Sequence, residues 1–354
     1  MATEKRKTLF TVQALRAIAA ASVVFHHVLN MLVRNAGYSF KVPTFGLAGV
    51  DLFFLISGFV MIYTHFDDFN HAGASGSFVR RRVIRIAPLY WLATTLMVIL
   101  LAGVPTLFST LKLDWNNVLH SYLFLLSPNS EGEVGTVTQT GWTLCYEFYF
   151  YAMFAVLLLL PRRYFLIAAG LIFFAGLLIN AWGTTLPPWL TVATNPLLVE
   201  FYVGSVIAFL FVAGVSLPPR IAIVAIIFSI GILVIGEPSD GWQRVFWWGV
   251  PSAVILAGAV SLERLDIRVP KVLIALGASS YSLYIFHPFV IPAFGKAWPL
   301  THLQVPAFVP GLAAFGAALV VAHGVHLWIE KPMTEWLFRG FPAKQLQKTL
   351  TAPD

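Results

Sequence analysis

Charge is scarce in this sequence. Only 11% of its 354 residues are Asp, Glu, Lys or Arg, against about 25% in a soluble domain. So little polar surface cannot coat a water-facing globule. Cysteine is nearly missing as well: Cys145 is the single thiol, which excludes an intrachain disulfide. There is no internal repeat, no low-complexity tract and no polar stretch long enough for a soluble domain. The net charge of +7 comes from basic residues scattered among loops, a distribution that fits a membrane topology signal and excludes nucleic acid as a partner. Lys5, Arg6 and Lys7 precede an apolar run, as in a signal peptide, but no small-residue cleavage pattern follows. The run reads as an uncleaved first span.

What is abundant is apolar surface. Hydrophobic residues make up 58% of the chain and the mean hydropathy is +0.79. They are blocked into stretches of about 20, the length that crosses a hydrocarbon core of roughly 30 Å. The expected fold class is an all-α polytopic integral membrane protein. About ten transmembrane helices are predicted, at 11–33, 45–64, 83–103, 142–160, 164–182, 196–214, 220–236, 245–261, 272–294 and 307–329. Breaks are marked by Pro161-Arg162-Arg163, Pro187-Pro188, Pro218-Pro219 and Gly236-Glu237-Pro238. The stretch 116–127 is too short to span and reads as interfacial or re-entrant. With the N-terminus inside, 17 Lys and Arg fall on the cytoplasmic side and five on the outer side, Arg16 being the last of the 23. Both termini are therefore expected in the cytoplasm. Residues 1–340 read as one membrane-embedded domain and 341–354 as a cytoplasmic tail.

An ionisable side chain inside a span costs about 2.5–3.5 kcal/mol on insertion scales and needs a reason. Two layers emerge. Arg16, Arg82, Arg85, Glu330 and Lys331 lie near cytoplasmic span ends. His27, Asp51, Glu147, Glu200 and His287 fall at similar depth in the outer half of five different spans. Arg16 and His27 are eleven residues apart, three turns plus about 20°, so they share a helix face with an axial separation of about 16–17 Å. His26 faces elsewhere. His323 and His326 read as structural, and Glu330 as a partner of the arginines.

A basic inner layer and a His-carboxylate outer layer suit an anionic cytoplasmic donor with a long arm. Acyl-coenzyme A fits: its phosphates match the guanidinium forks of Arg81, Arg82 and Arg85, and its pantetheine arm, roughly 15–20 Å by chain geometry, is long enough to reach toward His27. That imidazole could take the acceptor hydroxyl's proton or the acyl group itself, with a nearby carboxylate to orient it. The same Arg run also serves as a plain topology anchor. His26, His27 and His287 form no recognised ligand spacing, so no metal is expected.

Several local sequences resemble the acyltransferase-3 family of bacterial membrane O-acyltransferases. QALRAIAAASVVFHH is similar to its R-x10-H motif, with Arg16 and His27 in register. GVDLFFLISGFVM resembles the G-V-D-x-F-F-x-x-S-G-F signature and matches Asp51, Ser57 and Gly58. FVRRRVIRIAPLYW carries the R-x-x-R pair at Arg82 and Arg85, followed by Pro88 and Tyr90. GWTLCYEFYFY places Glu147, VEFYVGS places Glu200, and SYSLYIFHP, with Tyr281 and His287, and IEKP resemble the last two spans. The matches run in order from about residue 8 to 338. Many members have two adjacent acids after W-[ST]-L; here Glu147 is followed by Phe148.

The resemblance implies an O-acetyltransferase of the bacterial inner membrane. It would use cytoplasmic acetyl-CoA as donor and a glycan or lipid-linked oligosaccharide as acceptor, in the manner of the exopolysaccharide branch. Carried over, His27 is base or acyl relay, with Glu147 and Asp51 in the catalytic group and Arg16, Arg81, Arg82 and Arg85 on the donor. Glu200, Ser57, Tyr281 and His287 complete a polar site. Membrane lipid and polysaccharide-assembly proteins are the other expected partners. Two rival readings stay open at this stage: a transporter or flippase with an intramembrane proton or sugar path, and a non-catalytic assembly subunit.

Overall fold

The computed structural model describes residues 7–105, 108, 112–183, 186–238, 240–265 and 267–339; the tail expected over 341–354 lies outside them. Of the described residues 76% are helical, as a chain in hydrocarbon must be when each backbone amide and carbonyl has to be satisfied within its own segment. In chain order α1 (Phe10–Asn35) is followed by a 3-10 turn (Phe45–Leu47), α2 (Ala48–His65) and α3 (Ala74–Gly103). Next come α4 (Trp115–Tyr122), the short strands β1 (Ser127–Pro128) and β2 (Val134–Gly135), α5 (Gly141–Leu157), α6 (Phe165–Ala181) and α7 (Pro188–Thr194). Then follow α8 (Leu198–Val212), α9 (Pro219–Ile235) and α10 (Trp242–Arg244), which runs through a π-helical turn (Val245–Gly249) into α11 (Val250–Glu263). The remainder is α12 (Lys271–Ala278), α13 (Ser280–Ala297), α14 (Phe308–Val325), a second π-helical turn (His326–Glu330) and α15 (Lys331–Phe338).

Seven described helices are long and apolar enough to cross a membrane, and eight if a bent pair counts as one span. That pair is α12 and α13, which meet at 69°, so the expected straight span over 272–294 is broken. The break falls at Ser279, whose hydroxyl donates to the carbonyls of Ala275 and Leu276 at 3.1 and 3.4 Å, the local bonding by which serine competes with a helical ladder. The two other predicted spans correspond to α5 and α9, each only 17 residues long. The third span begins earlier than expected, at Ala74, which places Arg80 to Arg85 inside a 30-residue helix. The 116–127 stretch is α4 and the start of a hairpin. Asp114 caps α4 through the amides of Asn116 and Asn117, and Asn117 Nδ2 donates to Ser127 and to the Gly135 carbonyl across the hairpin.

The chain divides into two compact units. The first takes the described residues of Met1–Thr64 and Val199–Pro332. Here α1 is the hub, packed on α11, α12, α13 and α14. Its core side chains Ala20, Val24, Val28, Met31 and Leu32 close on Leu283 and Ile291 of α13 and on Ala314, Ala318 and Ala322 of α14. Its opening amides, at Phe10 and Thr11, donate to the Glu263 carboxylate at 2.9 and 2.6 Å, which satisfies orphan donors and complements the helix dipole. The α2–α8 seam is closer still. A Cβ on Gly58 would strike the Phe201 carbonyl, and one on Gly204 would strike the Leu55 carbonyl. Two backbones meet glycine to carbonyl, the small-residue packing by which membrane helices associate without a hydrophobic driving force. Ser205 Oγ donates to the Phe201 carbonyl at 2.9 Å in the same seam.

The second unit takes the described residues of His65–Leu198 and Met333–Gly340. Its core is aromatic: Phe78 of α3 lies 4.9 Å from Phe154 of α5 and 5.9 Å from Tyr151, ring to ring, and Phe154 meets Phe165 of α6 at 5.5 Å. Such pairs add about 0.5–1.5 kcal/mol beyond burial.

Gly58→Ala and Gly204→Ala should each destabilise the first unit by about 1–3 kcal/mol, the usual cost of overpacking, and lower the melting temperature of the purified protein. Gly316→Ala, where a Cβ meets nothing within 4 Å, is the control and should melt at or above the wild-type temperature.

Candidate active site

In the first unit the sequence-predicted residues fall into two groups. α1 is unbroken from Phe10 to Asn35, so the shared face of Arg16 and His27 holds. Arg16 is buried, while His27 is half-buried and makes no hydrogen bond among the described residues. Its ring lies 5.0 Å from that of His287 on α13, tilted by 34°, and 5.5 Å from that of His26, edge-on. His26 is fully occupied: Nδ1 donates to the Pro43 carbonyl and Nε2 accepts from Asn30, both at 2.9 Å. The sequence led us to expect a carboxylate as the orienting neighbour of His27; the neighbour in the structure is an imidazole. Ser57 and Tyr281 are half-buried on α2 and α13.

The second group is charged. Asp51 of α2 has no exposure, and both its oxygens are taken by Arg244: Nε to Oδ1 at 3.0 Å and a terminal nitrogen to Oδ2 at 2.8 Å. The guanidinium also reaches the Leu47 carbonyl at 3.4 Å and lies 5.1 Å from the Trp248 ring. Glu200 of α8, 2% exposed, lies against Asp51 and Arg244. Neither of its oxygens meets an N–H or O–H donor among the described residues, and two carboxylates in contact can bond only through a shared proton. Gly249 closes over that carboxylate; a Cβ there would meet Oε1 at 2.6 Å. Arg244 is one of the five Lys and Arg that the topology count places on the outer side. The signal that could have found it is arithmetic: two intramembrane acids, Asp51 and Glu200, need a cation, and Arg244 flanks the following apolar run.

Glu330 was expected to partner the arginines. It accepts instead from Ser282 Oγ at 2.5 Å and from His326 Nδ1 at 2.9 Å, one turn back across the second π-helical turn. These partners were not legible in the sequence, because the widened turn sets the spacing.

In the second unit Arg81, Arg82 and Arg85 are half-buried on α3. Arg81 donates to Ser77 Oγ at 2.5 Å and meets His65 Nε2 at 3.1 Å. Arg82 lies beside the rings of Phe78 and Tyr151, 5.6 and 5.8 Å from their centroids. Its buried Nε makes no hydrogen bond among the described residues. Glu147 of α5 accepts from the hydroxyl of Tyr151, four residues on. That i, i+4 pair was present in the sequence as E-x-x-x-Y and went unread. Among the described residues no group of three or more His, Cys, Asp or Glu could hold a metal ion.

Apolar spans with reactive side chains set inside them define a multi-pass membrane protein built for chemistry. The family model described as "Acyltransferase domain" matches residues 10–326, and the chain belongs to that family, acyltransferase-3; it is an acyl-transferring enzyme. Over 298 residues it is 33% identical to the exopolysaccharide production protein ExoZ of Rhizobium meliloti (strain 1021), covering 82% of this chain and 90% of the relative. It is 25% identical over 351 residues to the acyltransferase MdmB of Streptomyces mycarofaciens, covering 88% of this chain and 86% of that one. No solved structure matches the chain.

Arg244→Ala should strand the Asp51 carboxylate and destabilise the protein by about 3–5 kcal/mol, the cost of breaking a buried pair from one side. Arg244→Lys should recover little of this, because an ammonium cannot fork onto both oxygens. Melting curves of the two purified variants check it; a lysine variant as stable as wild type would contradict the forked geometry.

Proposed function

We propose that this chain is an inner-membrane O-acetyltransferase that carries an acetyl group from cytoplasmic acetyl-CoA to a hydroxyl of an exopolysaccharide or its lipid-linked precursor. The observation that carries the reading is His27: a half-buried imidazole, free of hydrogen bonds among the described residues, on the same face of an unbroken α1 as the buried Arg16. Family membership supplies the acyl transfer, and the printed name of the Rhizobium relative supports the exopolysaccharide acceptor. The lysine and arginine asymmetry supports ten passes with both termini in the cytoplasm.

The chemistry follows from these groups. A neutral His27 takes the proton of the acceptor hydroxyl as its oxygen attacks the thioester carbonyl. The C–O bond forms, the C–S bond breaks, and the proton passes to the departing thiolate. No net proton is released, so the buried acids of the first unit have no titrating duty in the step. Arg82, with a buried N–H still to satisfy, is assigned with Arg85 to the donor's phosphates, where a guanidinium fork matches two oxygens at once. Tyr151 holds Glu147 in place, and Glu147 balances the charge of these arginines.

His27→Ala should abolish acetylation of the cell-surface glycan, read by NMR of the purified polysaccharide, while the variant still inserts and folds. Wild-type acetylation by that variant would remove the catalytic assignment. Arg82→Ala should weaken acetyl-CoA binding about tenfold or more, as loss of a charge-assisted hydrogen bond does, and leave acceptor KM near wild type. Equal donor affinity in titrations of the two proteins would refute the phosphate role.

A further inference from the structure

The base proposed above has no carboxylate partner among the described residues, and the structure offers a different one. His287 precedes Pro288 on α13. Proline has no N–H, so the Tyr284 carbonyl one turn back loses its helical donor. The His287 Nδ1 lies 3.1 Å from the Leu283 carbonyl, with the Tyr284 carbonyl also in its reach. Carbonyls only accept, so Nδ1 carries the proton and Nε2 is the lone-pair nitrogen. The ring is 2% exposed, wedged beside Tyr284 at 6.0 Å, and cannot turn over without breaking this bond. Its neighbour is His27, centroid to centroid 5.0 Å away and tilted by 34°; the two rings touch here without a hydrogen bond, and a turn of the half-buried His27 ring is the motion that makes one.

Two other candidates for orienting His27 are already spent. Both nitrogens of His26 are bonded, to Pro43 and Asn30. Both oxygens of Asp51 are bonded to Arg244.

We propose that His287 is the positioning residue of the acyl-transfer base: as the acceptor binds, His27 turns its N–H onto the Nε2 of His287 and so presents its other nitrogen, lone pair outward, to the acceptor hydroxyl. The inference rests on His27 being that base. His287 takes the part that a carboxylate takes in a Ser-His-Asp triad, but as a neutral group, so no anion has to be buried in an apolar bundle at a cost of several kcal/mol. The proton balance is that of the reaction above. The hydroxyl O–H breaks, an N–H forms on His27, and that proton passes to the thiolate sulfur. His287 gains and loses no bond; it only accepts a hydrogen bond that strengthens as His27 becomes an imidazolium.

The test compares His287→Gln with His287→Phe in the full chain purified into lipid nanodiscs, with acetyl-CoA and a soluble glycan acceptor. Both side chains fill the space, and only glutamine offers an acceptor oxygen. Melting temperature reports folding in each. The phenylalanine variant should lose about 10- to 100-fold in kcat, less than the roughly 10²–10⁴-fold that the general base itself supplies. Its KM for acetyl-CoA should be unchanged and its pH–rate profile displaced. Glutamine should recover most of the kcat. A Gln-to-Phe ratio near one, or a wild-type pH profile in the phenylalanine variant, overturns the proposal even with His27→Ala inactive. An active His27→Ala would sink the parent reading instead, and the two failures are thus told apart. If the phenylalanine variant does not fold, His287→Leu takes its place in the ratio.

Discussion

A guanidinium forked onto a carboxylate with no solvent exposure is the constraint on which the first unit depends. Asp51 and Arg244 are 193 residues apart in the chain, and their bond fixes the start of α2 to the turn between α10 and α11. Neither partner is tolerable alone in an apolar bundle, since the desolvation of one unpaired charge exceeds anything local packing returns. Glu200 then has to be placed where that pair can accommodate it, which sets the register of α8. The glycines follow from the same demand for closeness. Gly249 leaves room for the Glu200 carboxylate, and Gly58 and Gly204 let α2 and α8 approach backbone to backbone. The π-helical turn over Val245–Gly249 is the local adjustment that brings Arg244 and Gly249 to the acids together, and such widened turns concentrate at functional sites.

The imidazoles show how backbone chemistry selects a reactive group. In the first unit His27 lies in ring contact with both His26 and His287. His26 is bound at both nitrogens and is a strut. His287 has its tautomer set by helix carbonyls, one of them released by Pro288. His27 alone among them keeps both nitrogens free of hydrogen bonds among the described residues. What each imidazole is left free to do is set by its neighbours rather than by residue type.

The second unit handles cations by another route. Arg82 is flanked by two aromatic rings and shares its surroundings with Glu147 and Arg85. Rings shield a guanidinium from lipid and hold it by cation–π attraction without consuming its N–H groups. An arginine kept this way remains able to grip an anion, whereas Arg81, bonded to Ser77 and His65, is largely committed to holding α3 in place.

The sequence by itself determined the class. Apolar runs near 20 residues, scarce charge and the Arg16–His27 interval fix a helical membrane protein with a polar face on its first span, because helix periodicity and bilayer thickness are local constraints. Motif order along the chain was enough to point to acyl transfer. Tertiary structure alone decided the partners: that Asp51 belongs to Arg244, that Glu330 belongs to Ser282 and His326, that His27 leans on His287, and that the ninth span breaks at Ser279. Depth along a helix can be counted from sequence, but azimuth across helices cannot. Which side chains meet depends on close packing between segments far apart in the chain, where a glycine, a proline or a widened turn shifts the contact by a whole helix face.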